Sequence, residues 1–285
     1  AAPPPPPPAA SFEAAKKLTA AGDYDAAIDA WTTLLEEAVA AHGETGAETA
    51  ALYYRYGDAL LRKAEESDQL FGGEEGDDKG AAEEAPPPAA GNSLAAGNSL
   101  SAAADDTDGE DDADDAAAAP DKEALAEDIQ IAFEVLEVAR TVFEATPGDE
   151  ARKGLADCWL RLGDLDKMNG RFDTSVESYE KCLALRTQLH GAATREVADV
   201  HWCLAFALEC RAADKDCEDA RAKRDAALDH YVACQAALEA VLGGLAPGDA
   251  ARAGIADVLG DLGETISDAR ERKKQEAARA AAAPA

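Results

Sequence analysis

The chain has 285 residues, of which 27 are Lys or Arg and 58 are Asp or Glu, so its formal net charge is −31 at pH 7. A charge of this size repels nucleic acids and anionic membrane surfaces, and it attracts cationic partners over a Debye length of about 8–10 Å. No apolar stretch of the sequence approaches the roughly 20 residues that a membrane-spanning helix needs. We therefore expect neither a direct nucleic-acid partner nor a membrane.

The first ten residues, 1–10, contain an unbroken run of prolines from Pro3 to Pro8. Polyproline segments are stiff and offer few apolar side chains to bury, which predicts a disordered Pro-rich tail. Binding to a domain that reads proline-rich peptides is the alternative role for this tail.

Helical periodicity begins near Ser11 and continues through residues 11–73. The segment AKKLTAAGDYDAAIDAWTTLLEEA places small and large apolar residues at helical spacing on both sides of a turn at Gly22-Asp23. This pattern predicts a helical hairpin, the first repeat. A further helix, from about Glu44 to Leu70, is predicted as the first helix of a second repeat.

Composition changes sharply after residue 73. From Glu74 to Asp115 the chain has fourteen acidic residues against one Lys, together with two copies of GNSL. No apolar pattern offsets the ordering entropy, which predicts a disordered acidic insertion over residues 74–120. The alternative is an inert solvated linker. We expect the second acidic cluster of this loop to contact a cationic partner, through Asp105, Asp106, Asp108, Glu110, Asp111, Asp112, Asp114 and Asp115.

Helical periodicity resumes over residues 121–146, which predicts the second helix of the interrupted repeat. The tripeptide Pro147-Gly148-Asp149 ends that helix and starts the next one. Two more hairpins are predicted over residues 150–190 and 195–242, the second of them stretched by a polar insertion around Asp214 to Arg224.

The remaining residues, 249–285, predict a capping helix and a tail.

The hairpins share one template, because aligning Gly22-Asp23-Tyr24 with Gly170-Arg171-Phe172 superposes Ala15 on Gly163, Ala27 on Ser175, Trp31 on Tyr179 and Leu35 on Leu183. Small residues let paired helices approach closely, and the aromatic residue fills the gap between hairpins. This is the 34-residue tetratricopeptide pattern. The predicted fold is an all-α solenoid of about four helical hairpins plus a C-terminal capping helix, with the second repeat interrupted by the acidic insertion.

Longer motifs carry a more specific resemblance. LYYRYGDALLRKAEE, IQIAFEVLEVARTVFE, GRFDTSVESYEKCLALR, DVHWCLAFALE and IADVLGDLGETISDARE, with the GNSL copies, resemble the interrupted-repeat SHNi-TPR family, which has an acidic insertion inside its second repeat. The chain departs from that family in its short, Ala-rich acidic stretch and in the insertion of its fourth repeat.

The resemblance implies a nuclear histone chaperone, with shuttling to the cytoplasm as an alternative. Its partners would be the two histones of the nucleosome's central tetramer, histones three and four, which it would shield and deliver for nucleosome assembly without ATP. The oligomeric state stays open, with a homodimer as one alternative.

Grooves of such solenoids are lined by the first helix of each hairpin. In this chain that rule selects acidic residues with apolar anchors: Tyr54, Asp58, Asp157, Leu160, Asp164, Lys167, Met168, Asp199, Trp202, Phe206, Glu209 and Cys210. Carboxylates pair with Arg or Lys and aromatic rings accept Leu or Ile, so a basic amphipathic helix fits. The resemblance implies histone contact at Asp199, Trp202 and Phe206. The alternative is that Trp202 and Phe206 pack against a neighbouring helix while the acids only raise solubility.

Catalytic and metal-binding motifs are absent from the sequence. It has no phosphate-binding loop, no G-x-S-x-G and no H-E-x-x-H, and its four histidines are scattered. No His or Cys lies near His201 at metal spacing apart from Cys203, which helical spacing places on another face. We therefore expect no enzyme, no cofactor and no metal.

The six cysteines form no C-x-x-C pair, which favours reduced thiols. The basic stretch 269–279 is read equally as a weak nuclear localisation signal or as the solvated end of the capping helix.

Two other functions remain open. A chaperone cofactor that clamps the acidic tail of a heat-shock protein needs Lys, Arg and Asn in its groove, whereas Asp157, Asp164 and Asp199 stand there. A general protein-interaction scaffold, such as a motor-associated adaptor, is compatible with the repeats, but it leaves the acidic interruption unexplained.

Overall fold

The structure is a computed structural model that describes residues 9–71 and 122–282. The polyproline run and the acidic segment lie outside these ranges, and so does every acidic-loop residue expected to contact a partner, from Asp105 to Asp115. Within the described ranges every regular element is an α-helix. The helices are α1 (Ala9–Ala21), α2 (Tyr24–His42), α3 (Ala47–Phe71), α4 (Lys122–Ala145), α5 (Asp149–Met168), α6 (Phe172–His190), α7 (Arg195–Ala213), α8 (Ala220–Gly244) and α9 (Ala251–Ala282).

Each helix packs against the next one along the chain, which makes a solenoid of four hairpins with α9 resting on α8 at its end. Two first helices of neighbouring hairpins, α3 and α5, also meet. Such a stack buries the apolar face of each hairpin only against its neighbours. The predicted all-α repeat solenoid with a capping helix is therefore confirmed.

The interrupted hairpin closes although its two helices come from distant parts of the sequence. Gly57 of α3 lies so close to α4 that a Cβ placed there would be 2.8 Å from Cγ of Leu136. Leu136 is itself fully buried. Close helix approach at a glycine thus joins α3 to α4 as in an uninterrupted repeat.

The small-residue rule of the repeat template has a direct structural cause. A Cβ on Gly163 would lie 2.5 Å from Cε1 of Tyr179, so the tyrosine ring of α6 occupies the space beside the glycine of α5. The Ser175 hydroxyl donates a hydrogen bond to the carbonyl oxygen of Gly163 at 2.8 Å. In the first repeat, Ala15 and Trp31 occupy the aligned positions and both are buried.

The fourth hairpin differs from its prediction in one respect. The polar insertion was expected around Asp214 to Arg224, but only residues 214–219 lie between α7 and α8. Residues Ala220 to Arg224 form the first turn of α8. Ala and Arg are among the best helix formers, so these residues extend the helix and do not lengthen the loop.

Candidate functional site

The side chains predicted to line a partner groove lie on three first helices, α3, α5 and α7, and we call this set the inner groove. Nine of them are half-buried: Tyr54, Asp157, Leu160, Lys167, Met168, Trp202, Phe206, Glu209 and Cys210. Three are buried: Asp58, Asp164 and Asp199. Burial of these carboxylates was not foreseen from the sequence, and it changes what each of them is able to bind.

Asp58 and Asp164 are brought together by one arginine. Arg161 Nε donates to Asp58 Oδ1 at 2.6 Å, and Arg161 Nη1 donates to Asp164 Oδ2 at 2.9 Å. Burial by itself would raise the pKa of Asp58, but the charges of Arg161 and Arg62 outweigh this effect and the pKa is lowered. Asp58 is therefore held as a carboxylate inside the protein, with its charge already balanced.

Asp164 also ties α5 to its neighbours. The Tyr179 hydroxyl of α6 donates to Asp164 Oδ1 at 2.7 Å, and Lys167 Nζ lies 3.6 Å from the same oxygen. Both carboxylate oxygens thus have partners within the chain. Asp164 acts as a structural crosslink between the helices of the third hairpin, and a partner gains access to it only if these bonds break.

Two groove carboxylates are more accessible, and each is paired with a cation of its own chain. Arg186 Nη2 donates to Asp157 Oδ1 at 3.1 Å, and 41 % of the Asp157 side chain is exposed. Arg272 of the capping helix donates to Glu209. The inner groove is accordingly less acidic than its sequence suggests, because neighbouring helices supply cations to its carboxylates.

The phenol of Tyr54 lies among these charges. Burial raises its pKa well above the ordinary value, and the nearby carboxylates of Asp58 and Asp157 raise it further. The hydroxyl therefore stays protonated and is suited to hydrogen bonding, not to proton transfer at neutral pH.

The two aromatic anchors expected in the groove have different surroundings. Trp202 meets Tyr231 of α8 edge to face, with ring centroids 5.4 Å apart, and it packs on the apolar cluster shared by α7, α8 and α9. Phe206 lies outside the apolar clusters of the described residues, and Lys167 Nζ stands 5.7 Å from its ring centroid. Packing against a neighbouring helix, the alternative raised from the sequence, therefore describes Trp202 better than Phe206.

A second concave surface was not anticipated from the sequence. Trp159 of α5 has Arg140 of α4 5.0 Å from its ring centroid and Lys181 of α6 4.1 Å from it. This triad borders an open cleft of about 590 Å³, which is also lined by Glu137, Glu144, Leu155, Ala184 and Leu185. A tryptophan at this repeat position reads as core, and its two cations come from different helices, so the sequence held no signal for the cleft.

Two histidines that are distant in sequence meet between α7 and α8. The Nδ1 atoms of His201 and His230 are 2.9 Å apart, which joins the neutral rings by one hydrogen bond. Burial, together with repulsion from His230 whenever that ring is protonated, lowers the pKa of His201 to about 4. The histidines are thus not all scattered, but no group of three or more metal-binding side chains occurs among residues 9–71 and 122–282. In the same ranges no helix has both the length and the apolar character to cross a bilayer.

Comparison with known proteins finds one family model that matches the third hairpin. The SHNi-TPR family model matches residues 156–192, which comprise most of α5 and all of α6. Nuclear autoantigenic sperm proteins of Oryctolagus cuniculus and Homo sapiens are 28 % identical to the chain over 80 residues. That alignment covers 28 % of this chain, and 12 % and 10 % of the two relatives, so it spans about a tenth of their length. Residues 156–192 therefore match the SHNi-TPR family, and an 80-residue part of the chain is similar to nuclear autoantigenic sperm protein.

Proposed function

We propose that this chain is a histone chaperone that binds histones three and four in the nucleus, without ATP, and delivers them for nucleosome assembly. The observation that carries the proposal is the SHNi-TPR match on α5 and α6, because α5 contributes Asp157 and Leu160 to the inner groove. A net charge of −31 supports it, since histones are strongly basic and a soluble polyanion shields them from DNA.

Recognition in the groove would rest on exchange of ion pairs. Asp157 and Glu209 already hold Arg186 and Arg272, so an arginine or lysine of the partner would replace a cation of the chain at each carboxylate. Such exchange adds little net charge attraction, but it selects a partner whose cations fit both positions. Leu160 and Phe206, both half-buried, would accept the apolar side chains of the same partner segment.

The acidic segment would have a separate role in this proposal. Clustered exposed carboxylates act through long-range attraction, which raises association rates and is weakened by salt. Residues 74–120 would therefore speed the encounter with a histone, while the groove would determine which surface is bound.

The test compares three variants in binding kinetics with purified histones three and four across a salt series. Phe206→Ala should weaken binding mainly through faster dissociation, by about 1–2 kcal/mol. Asp29→Asn, an exposed carboxylate on α2, serves as the control and should bind like wild type. Replacing residues 74–120 with a short Gly-Ser linker should instead slow association and reduce its salt dependence.

Two results would count against the proposal in different ways. If Phe206→Ala binds like wild type while the linker variant does not bind, the chain binds histones through non-specific charge attraction and the groove assignment is wrong. If the wild-type chain does not bind these histones at moderate salt, the chaperone function itself fails.

A general scaffold role is the second candidate, and one observation favours it. Asp58, Asp157, Asp164 and Glu209 are all paired with cations of the chain, so the groove does not depend on a basic partner to balance its charge. A scaffold would bind a neutral amphipathic helical peptide as tightly as a basic one of equal apolar content. Fluorescence anisotropy with such a matched peptide pair separates the two functions.

A further inference from the structure

The C-terminal half of the capping helix α9 is bound to the fourth hairpin by three ion pairs. Lys273 Nζ lies 3.0 Å from Asp225 Oδ1, and Glu276 Oε1 lies 3.0 Å from Arg224 Nε. The third pair joins Arg272 to Glu209 of α7. Two of these pairs hold the end of α9 on α8, whereas the third reaches a residue of the inner groove.

Glu209 is the groove residue that α9 covers. Its side chain is only 23 % exposed, and burial raises its pKa while the charge of Arg272 lowers it. Tyr231, which packs on Trp202, has its pKa raised first by burial and then by the charge of Glu209, while the charge of Arg272 lowers it. A cation of the chain thus already stands where a basic partner would need to place its own.

Phe206, the neighbouring groove residue, also has a cation of the chain beside it. Phe206 and Glu209 are three residues apart on α7 and therefore lie on the same face of the helix. Lys167 stands over the ring of Phe206 at 5.7 Å, while Arg272 pairs with the Glu209 carboxylate. An aromatic ring beside a carboxylate is a favourable site for one arginine, because a planar guanidinium stacks on the ring and donates two parallel hydrogen bonds to the carboxylate.

We propose that α9 is an intramolecular competitor for the fourth-repeat part of the inner groove, in which Arg272 imitates an arginine of the partner and must leave Glu209 before that arginine binds. The inference rests on the proposed function only for the identity of the partner. The exchange itself needs only a helical segment that presents an arginine to Phe206 and Glu209, whatever protein that segment belongs to. Partly exposed ion pairs are weak, and 43 % of the Arg272 side chain is exposed, so displacement is easy enough to be reversible.

The experiment measures equilibrium binding by the full chain with Arg272→Gln, which keeps part of the aliphatic stem and removes the charge. Lys274→Gln is the matched control, because Lys274 is 80 % exposed and pairs with Glu271 of its own helix. Both variants lose one positive charge from α9. The competitor model predicts roughly two- to five-fold tighter partner binding for Arg272→Gln relative to Lys274→Gln.

A double-mutant cycle identifies the cause of any gain. In a Glu209→Gln background there is no carboxylate to release, so Arg272→Gln should give no further gain over Lys274→Gln. Asp225→Asn loosens α9 through Lys273 without touching the groove, and it should give a smaller gain in the same direction. This variant also covers the case in which Arg272→Gln unfolds the cap, which loss of helical circular dichroism would reveal.

Two probes separate this inference from the proposed function. One is the complex of histones three and four, and the other is a synthetic amphipathic helical peptide rich in arginine. If the histones do not bind but the peptide shows the cycle described, the chaperone function fails and the competitor role stands. If Arg272→Gln folds and binds both probes no better than Lys274→Gln, or if Asp225→Asn weakens binding, α9 supports the groove and the competitor role is wrong.

Discussion

Arg161 Nε on α5 donates a hydrogen bond to Asp58 Oδ1 on α3 at 2.6 Å, and both side chains are almost fully buried. The two residues are 103 positions apart, and the acidic segment lies between them in the sequence. Their contact joins the first helix of the interrupted repeat to the first helix of the repeat that follows. It therefore aligns the two hairpins on which most of the inner groove is built.

Removing the charge of Asp58 should destabilise the fold strongly. Asp58→Asn leaves Arg161 buried with one carboxylate fewer, and breaking a buried ion pair by changing one partner costs about 3 kcal/mol of unfolding free energy. Urea unfolding followed by circular dichroism measures this loss. Asp25→Asn is the control, because Asp25 pairs with Lys63 at 3.0 Å but is 84 % exposed, and its loss should cost less than about 1 kcal/mol. Equal losses of unfolding free energy in the two variants would show that the buried ion pair contributes no more to stability than the exposed one.

Two glycine-to-alanine changes should act with opposite signs. Gly163→Ala puts a methyl group 2.5 Å from the Tyr179 ring, so the closely packed third hairpin must shift, at a cost of about 1–3 kcal/mol. Gly260→Ala in α9 meets nothing within 4 Å, so the higher helix propensity of alanine should stabilise the protein by about 1 kcal/mol. Thermal unfolding of both variants measures the difference. A stabilised Gly163→Ala variant would contradict the packing of α5 on α6.

Acidification should destabilise the fourth hairpin through its histidine pair. Burial lowers the pKa of His201 to about 4 and also lowers that of His230, which Glu180 and Asp229 partly oppose. The unfolded chain binds protons at its histidines near pH 6.5, whereas the folded chain resists them, so stability is lost as pH falls from about 6.5 towards 4. The melting temperature of wild type should therefore drop more between pH 7 and pH 5 than that of His201→Gln. His42→Gln, at an exposed histidine, should follow wild type, and parallel curves for all three proteins would refute this origin.

The thiols should differ widely in reactivity. Burial raises the pKa of Cys182 and of Cys234 to about 12 and raises those of Cys158 and Cys203 as well, so these four thiolates are scarce at pH 8. Cys217, between α7 and α8, is only half-buried. Alkylation of the native protein followed by peptide mass spectrometry should label Cys217 first. Labelling of Cys203 at the same rate would mean that α7 opens readily.

The repeat architecture was predictable because its signals are local. The turns at Gly22 and Gly170 have φ of 79° and 68°, in the left-handed region that favours glycine, so one residue type marks the same turn in both hairpins. Small residues at Ala15 and Gly163 indicated close helix contact, and Gly163 lies against Tyr179 as the template required. Periodicity was less informative in the fourth hairpin, where helix-forming residues of the polar insertion joined α8.

The sequence predicted which helices carry the candidate site, but it did not predict which cations pair with its carboxylates. Repeat positions put Asp58, Asp164 and Glu209 on the correct first helices, and the structure then supplied a cation to each of them. Those cations come from Arg161 and from Arg272, and Arg272 is 63 positions from its carboxylate. The contribution of each groove residue to partner binding remains a prediction.

The sequence by itself determined the class of the protein, because apolar spacing, turn glycines and small-residue positions act within one hairpin and recur in the next. It also determined that the electrostatic field around the protein is negative, because net charge is a sum over the composition. Only the tertiary structure decided which carboxylates are buried, which already hold an arginine, and that His201 meets His230. Burial and pairing depend on distances of a few ångströms between side chains that are far apart in the chain, and Coulomb energy in a poorly solvated site changes steeply over those distances.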